Sequence, residues 1–390
     1  MLKFTILLQI VLAVFAFGDA SAPLPPDLMD VFNQGQAALG RGDLAAAEAA
    51  FRQVLAKDPE AVGAHANLGV VYMREKNWDQ ALAELRKAEK LAPSVPGIRL
   101  NIGLIYYHES HFREAIAPLN SMVAAVPSSG QAQYLLGLCY FLTEQYAAAL
   151  PHLQAVWAEQ SSNLAYLYTV VIAAGKDGNH DLENQAMTRM VEVGRDSAEM
   201  HLFMGKALVA RNDLDKALVE FTRANQINPK LPFVHYYLGG IARRRNDLPL
   251  AKAELLKEAE IDPDVAFNYD ELGAVEYLLQ DNAGAERAYR KAVQLDKTLA
   301  TAWYGLARIY QDTERYPEAL KVVDAALALD AKSASLHFLR GQVLMRLGRR
   351  DDGQRELGEG QRLAHVAQDQ LAKQAAGKSV RDPQQAPAAP

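Results

Sequence analysis

The 390-residue chain has a single cysteine, Cys139, so it can form no intramolecular disulfide and no cysteine-built zinc cage. It also lacks a basic excess. Its 41 Lys and Arg against 47 Asp and Glu give a net charge of −6, which argues against a nucleic-acid binder. No second long hydrophobic run follows the first twenty residues, so no membrane span is expected in the mature chain. The Gly-x-Ser-x-Gly elbow, the phosphate-binding glycine loop and the His-Glu-x-x-His pattern are all missing. Neither a catalytic residue, a bound metal nor a cofactor is therefore expected. Half of the residues are hydrophobic, which is ample for a folded core.

The N-terminus is of a different character. Lys3 precedes the apolar run "FTILLQIVLAVFAFG", and "ASA" at 20–22 supplies small residues for cleavage. Residues 1–22 read as a signal peptide, followed by a short leader over 23–27. An uncleaved N-terminal anchor is the alternative. With no Asn-x-Ser/Thr sequon and one cysteine, an exported protein of a bacterial envelope or periplasm fits better than a eukaryotic secreted one.

Beyond residue 27 the chain repeats itself. Stepping by 34 from Gly35 lands on Gly69, Gly103, Gly137, Val171, Gly205, Gly239, Gly273, Ala307 and Gly341. Twelve residues after each comes a second small-residue register, from Ala47, Ala81 and Ala115 to Ala319 and Gly353. Ten units follow, over 28–61, 62–95, 96–129, 130–163, 164–197, 198–231, 232–265, 266–299, 300–333 and 334–367. Within each, apolar residues recur at helical spacing on both sides of a short polar turn such as "RGD" or "RND". Each unit is thus a pair of antiparallel helices, with small residues where the two cross. Pro59, Pro93, Pro127, Pro229 and Pro263 close second helices.

The fifth unit departs from the pattern, with Val171 for Gly, Glu183 for Ala and the turn "GKDGNHD", and is expected to pack less tightly. The tenth has a polar, glycine-containing second helix and reads as a cap. Residues 368–390 are expected to extend this helix and then pass into a Pro-, Gln- and Ala-rich disordered tail.

With Leu-Gly at 68–69, 136–137, 238–239 and 272–273, Tyr72, Tyr106, Tyr140 and Tyr310 in one slot, and Phe51 and Phe221 in another, the chain resembles the tetratricopeptide-repeat proteins. That resemblance implies an all-α, right-handed α-solenoid whose first helices line a concave groove that binds a protein or peptide.

His65, His201, His235 and His337 share one slot of the repeat, with Trp303 in the equivalent place. Such periodicity marks packing residues at a repeat interface rather than catalysts. His108 and His111 are close in sequence but lack a third ligand. Cys139 lies in a helical apolar run and reads as a buried, inert thiol.

If the family geometry holds, the groove residues follow from the register. In the N-terminal half they include Phe32, Leu39, Val70, Met73, Leu100, Leu104, Tyr107, Tyr134, Leu138, Phe141, Tyr168 and Ile172, an apolar row expected to face solvent. Asn33, Asn67 and Asn101 form three rungs of an asparagine column suited to gripping a peptide backbone. In the C-terminal half, Phe233, Tyr236, Phe267, Tyr277, Tyr304 and Phe338 are interleaved with Arg243, Arg244, Arg308, Arg346 and Asp270. Aromatics with arginine suit a peptide bearing an acidic group. The Lys/Asn carboxylate clamp of some relatives is absent. The resulting expectation is a non-catalytic adaptor or assembly factor of the envelope or of a secreted complex. A self-associating structural array is the alternative, and an accessory subunit of an enzyme complex a further one.

Overall fold

The computed structural model describes residues 24–379. The signal-peptide reading of 1–22 and the last part of the tail lie outside the described residues. Among the described residues there are 21 helices and no strand, and the fold is an all-α solenoid. The chain divides into two compact units, between Asp196 and Ser197, at the end of the fifth repeat.

In the N-terminal unit the first two repeats are α1 (Pro26–Arg41) with α2 (Leu44–Lys57), and α3 (Val62–Arg74) with α4 (Trp78–Leu91). The third is α5 (Pro96–His108) with α6 (Phe112–Ala125). The fourth is α7 (Gly130–Leu142) with α8 (Tyr146–Ala155) and the short α9 (Trp157–Gln160). The fifth is α10 (Leu164–Asp177) with α11 (His180–Gly194).

The C-terminal unit holds α12 (Ala198–Ala210) with α13 (Leu214–Ile227), and α14 (Val234–Arg244) with α15 (Leu248–Ile261). Then come α16 (Ala266–Leu278) with α17 (Asn282–Leu295), and α18 (Ala300–Asp312) with α19 (Tyr316–Leu329). It ends with α20 (Ala334–Arg346) and the long α21 (Arg350–Ser379), which extends well past residue 367.

The glycine register makes room for a large side chain sixteen residues on. A methyl group placed on Gly103 would sit 2.6 Å from Leu119 Cγ, and one on Gly69 would sit 2.7 Å from Leu85 Cγ. Phe221 fills the same place against Gly205. Leu85, Leu119 and Phe221 are fully buried, so each pair of helices is locked by a bulky residue of the second helix seated on a bare backbone of the first. Where the register holds Ala307, the residue sixteen on is the smaller Val323, also fully buried. Tyr289 uses two glycines, with its ring against Gly273 and its outer end against Gly305 of the next repeat.

A second register lies in the turns. Residues 42, 76, 110, 144, 178, 212, 246, 280, 314 and 348 all have positive φ, and seven of them are not glycine. The left-handed residue lets the chain reverse while its neighbours close the helix. In the first repeat, Gly42 N–H donates to Leu39 O and Asp43 N–H to Ala38 O, a Schellman-type ending. The next residue then caps the second helix: Asp43 accepts from Ala46 N at 3.1 Å and Asp281 from Gly284 N at 2.9 Å. Second helices stop two residues before Pro59, Pro93, Pro127, Pro229 and Pro263, consistent with the exclusion of helical backbone just before proline.

The histidine slot is more than packing. His65 Nδ1 lies 2.6 Å from Glu84 on the second helix of the same repeat, and its Nε2 lies 2.9 Å from Pro59 O in the preceding loop. His337 repeats this with Glu356 and Ala331 O, at 2.7 and 3.2 Å. His201 and His235 pair with Glu220 and Glu254. The loop carbonyl six residues upstream is reached by Arg99, Gln133 and Trp303 as well. In these five repeats the slot therefore supplies an N–H donor that ties the first helix to the loop before it, whereas Val31, Leu167 and Tyr269 fill it elsewhere. Where Nε2 donates to the carbonyl, one further proton must bridge Nδ1 and the carboxylate. In the fourth repeat the pair is reversed, and His152 Nδ1 donates to Gln133 Oε1 at 2.7 Å.

Opposite signs are expected for two glycine exchanges. Glu144→Gly removes a left-handed non-glycine residue, a cost of about 1–2 kcal/mol, against about 0.5–1 kcal/mol of added unfolded-state entropy. It should raise the melting temperature slightly. Gly103→Ala pushes a methyl into Leu119 and should lower stability by about 1–3 kcal/mol. A thermal melt of each variant checks both.

Burial pushes the Glu84 and Glu254 carboxyls up, but Lys87 with His65, and Lys257 with His235, outweigh it and hold both below the ordinary carboxylate value. A depressed carboxylate contributes stability above its unfolded value, near 4.3, and loses it as pH falls through the folded one. In denaturant titrations from pH 7 to pH 3, Glu84→Gln/Glu254→Gln should therefore show a smaller acid loss of stability than the wild type.

Candidate functional site

In the C-terminal unit the first helices α14, α16, α18 and α20 touch in succession. One side-chain ladder crosses them. At its start Phe233 and Phe267 are stacked, with centroids 6.0 Å apart, and Tyr236 meets Phe267 edge-on at 5.6 Å. Next, Arg243 Nε donates to Glu271 at 2.5 Å, and Thr301 Oγ1 donates to Asp270 at 2.6 Å. Then Arg308 lies 4.9 Å from the centre of the Tyr277 ring and donates to its hydroxyl, which in turn donates to Asp312. Gln311 reaches Gln342 on α20 at 2.8 Å.

The electrostatics follow from burial. Tyr236 is pushed up to about 12 by burial, with Glu271 and Asp270 adding to the effect. The Asp270 carboxyl is raised by burial, against the Thr301 hydrogen bond. Tyr236, Tyr277, Tyr304, Phe233 and Phe267 are all half-buried, and Arg308 is exposed. The face thus offers ring area and polar hydrogen-bonding groups side by side.

Phe233 is held in place by an unusual device. Its backbone is left-handed, with φ 73°, a costly conformation for a bulky residue. The carboxylate of Glu258 on α15 accepts from Phe233 N at 2.5 Å and Tyr236 N at 3.2 Å. Glu258 is fully buried and so acts as the N-terminal cap that α14 does not supply itself. Burial raises its carboxyl, while the two backbone donors draw it back.

The N-terminal unit differs from the expectation. Val70, Met73, Leu100, Leu104, Tyr134 and Leu138, expected to face solvent, are all buried, as are Asn67, Asn101 and Leu39. Phe32, Tyr107, Phe141, Tyr168 and Ile172 are half-buried, and only Asn33 of the asparagine column is exposed. The physical reason is that α3, α5 and α7 are apolar around most of their circumference, and such helices are buried on all sides. Part of the cover is local: Tyr107 meets Phe112 at 5.5 Å and Phe141 meets Tyr146 at 5.8 Å. An open apolar groove is therefore not what this unit presents.

Among the arginines expected to meet acidic groups, Arg243 is occupied by Glu271 and Arg308 by the Tyr277 ring. Arg244 and Arg346 are exposed in last helical turns, and Arg245 pairs with Asp215. His108 stacks on Trp78 at 5.2 Å, while His111 faces Glu109 at 3.8 Å, so the two rings serve different partners. Among the described residues no group of three or more His, Cys, Asp or Glu is placed to hold a metal. Cys139 is buried, and burial pushes its thiol up to about 12.

Sequence reasoning missed Glu271, Thr301 and Asp312. Their partners lie 28, 31 and 35 residues away, about one repeat, so a search for complementary pairs at that spacing finds them. It also missed Lys206, buried on α12, where desolvation pulls its ammonium down to about 7.

Sequence profiles of the tetratricopeptide repeat match residues 32–96, 100–163 and 277–342. The chain belongs to the tetratricopeptide-repeat family. No curated protein sequence matches it. Among solved structures it is similar to a tetratricopeptide repeat protein from Parabacteroides merdae, at 16% identity and a TM-score of 0.47, over 73% of this chain and 99% of that one. It is similar also to MamA, at 18% identity and a TM-score of 0.40, over 42% and 96%. A third is YrrB, described as a TPR protein with an unusual peptide-binding site, at 21% identity and 0.41, over 46% and 92%. Proteins of this family generally mediate protein–protein interaction. No helix among the described residues is long and apolar enough to cross a membrane.

Truncating Glu258 tests the cap. Glu258→Ala leaves two buried N–H groups without an acceptor and should cost about 1–3 kcal/mol. Hydrogen exchange should rise first at the amides of Phe233 and Tyr236.

Proposed function

We propose that the protein is a non-catalytic scaffold that binds a protein or peptide segment along the first-helix face of its C-terminal unit. The observation that carries this reading is the ladder from Phe233 to Gln342. It places half-exposed rings next to arginines and carboxylates whose geometry is already set by their neighbours. A partner meeting this face finds rigid aromatic area and pre-oriented polar groups, so little ordering cost falls on the scaffold. Because Arg243 and Arg308 are themselves paired, the face suits a partner of mixed polar and apolar character more than a purely acidic one. The composition of residues 1–22 supports an exported protein that works in the bacterial envelope or in a secreted complex.

Capture from envelope extract by the full chain tests this. Tyr236→Ala/Tyr277→Ala/Arg308→Ala should lose its partner about tenfold or more, as central anchors do, with circular dichroism unchanged. Equal capture by wild type and variant would overturn the reading. A variant that turns a wild-type oligomer monomeric, with no foreign partner lost, would favour the self-associating array.

A further inference from the structure

Three residues before the small-residue register, every repeat from Phe32 to Phe338 carries an apolar or aromatic side chain except the eighth, which carries Asp270. In the C-terminal unit this carboxylate stands between Tyr236 of the seventh repeat and Tyr304 of the ninth. The first helices that carry the three residues, α14, α16 and α18, touch in succession. Asp270 therefore interrupts an aromatic column at the middle of the face.

Its burial is not matched by a counter-charge. Its one hydrogen bond comes from a neutral donor, Thr301 Oγ1, which reaches Oδ2 at 2.6 Å. The arginines of the face are committed elsewhere, Arg243 to Glu271 and Arg308 to the ring and hydroxyl of Tyr277. Burial raises the Asp270 carboxyl and Glu271 beside it pushes the same way, against the Thr301 bond. Burial first, then the Asp270 and Glu271 carboxylates, raise the Tyr236 and Tyr289 hydroxyls, so both rings lie within reach of this charge. A carboxylate that has lost hydration without gaining a cation favours any ligand that supplies one. Aromatic faces attract the same ligand through their negative π-clouds.

We propose that Asp270 anchors a lysine or arginine side chain of a peptide laid along this face, with Tyr236 and Tyr304 bracketing its aliphatic stem. Such a stem packs on rings while its charged head reaches outward, and the head's donors meet Oδ1, the oxygen that Thr301 leaves open. This rests on the reading of the C-terminal face as the binding surface and adds the sign of the partner's central residue. That sign is the reverse of the acidic group expected from the arginines alone.

A displayed library of short random peptides, selected on the immobilised full chain, tests the anchor. Lysine or arginine should be enriched several-fold at one peptide position. Norleucine at that position should weaken binding about tenfold or more, as loss of one partner of a desolvated charge pair does. Asp270→Asn, which keeps an acceptor for Thr301, should cost the basic peptide as much and the norleucine peptide nothing further, a non-additivity that general damage to the fold does not produce. Peptides that need Tyr236, Tyr277 and Arg308 but show no basic preference overturn this inference alone, as do additive losses or full affinity for Asp270→Asn. Selection of no peptide, or equal binding to wild type and Tyr236→Ala/Tyr277→Ala/Arg308→Ala, overturns the binding surface as well.

Discussion

The close seat of one bulky side chain on one glycine, repeated every 34 residues, is the contact on which the rest of the molecule depends. Because Leu85, Leu119 and Phe221 press on bare backbone, the two helices of a repeat approach closely at a single phase. That phase decides which residues of the first helix turn toward the second and which turn away. The ladder of the C-terminal unit and the apolar row of the N-terminal unit are both consequences of it. A shift of one residue would rotate each first helix by about 100° and dissolve both faces at once.

Much of this was legible before any coordinates. The Gly and Ala registers announce paired helices, and the proline and Asp-Asn positions mark where they stop and start. What periodicity could not show is what each slot demands. In five repeats the histidine slot holds His, Arg, Gln or Trp donating to a loop carbonyl, a shared chemistry that no single residue type signals. The turn register holds Gly, Asn, Ser, Lys, Gln and Glu, so a left-handed backbone repeats where residue identity does not. For the candidate site, the aromatics were visible, but the residues that orient them lie a repeat away and surface only when pairs are sought across repeats. Burial of Val70 and Leu104 was missed for another reason: register says which way a side chain points, not what stands opposite.

Both units combine paired polar groups with buried unpartnered ones, the latter including Asn225 Oδ1 and Asn268 Oδ1 in the C-terminal unit. Along the C-terminal ladder Arg243, Asp270, Arg308 and Asp312 each bond a residue on an adjacent first helix, so these groups are set before a partner arrives. In the N-terminal unit two donors, on Asn67 and Tyr134, are buried without acceptors, a state that costs free energy unless something supplies them.

Tyr289 makes the eighth and ninth repeats into something other than interchangeable modules. Its ring ends against Gly305, and the residue 34 positions on is Leu339, not a glycine. Arrays of this kind grow and shrink by duplication or loss of whole units. Here an in-frame loss of 300–333 would rejoin helices in phase yet drive Leu339 into the tyrosine ring. The eighth and ninth repeats are therefore joined by a fit that the ninth and tenth do not reproduce.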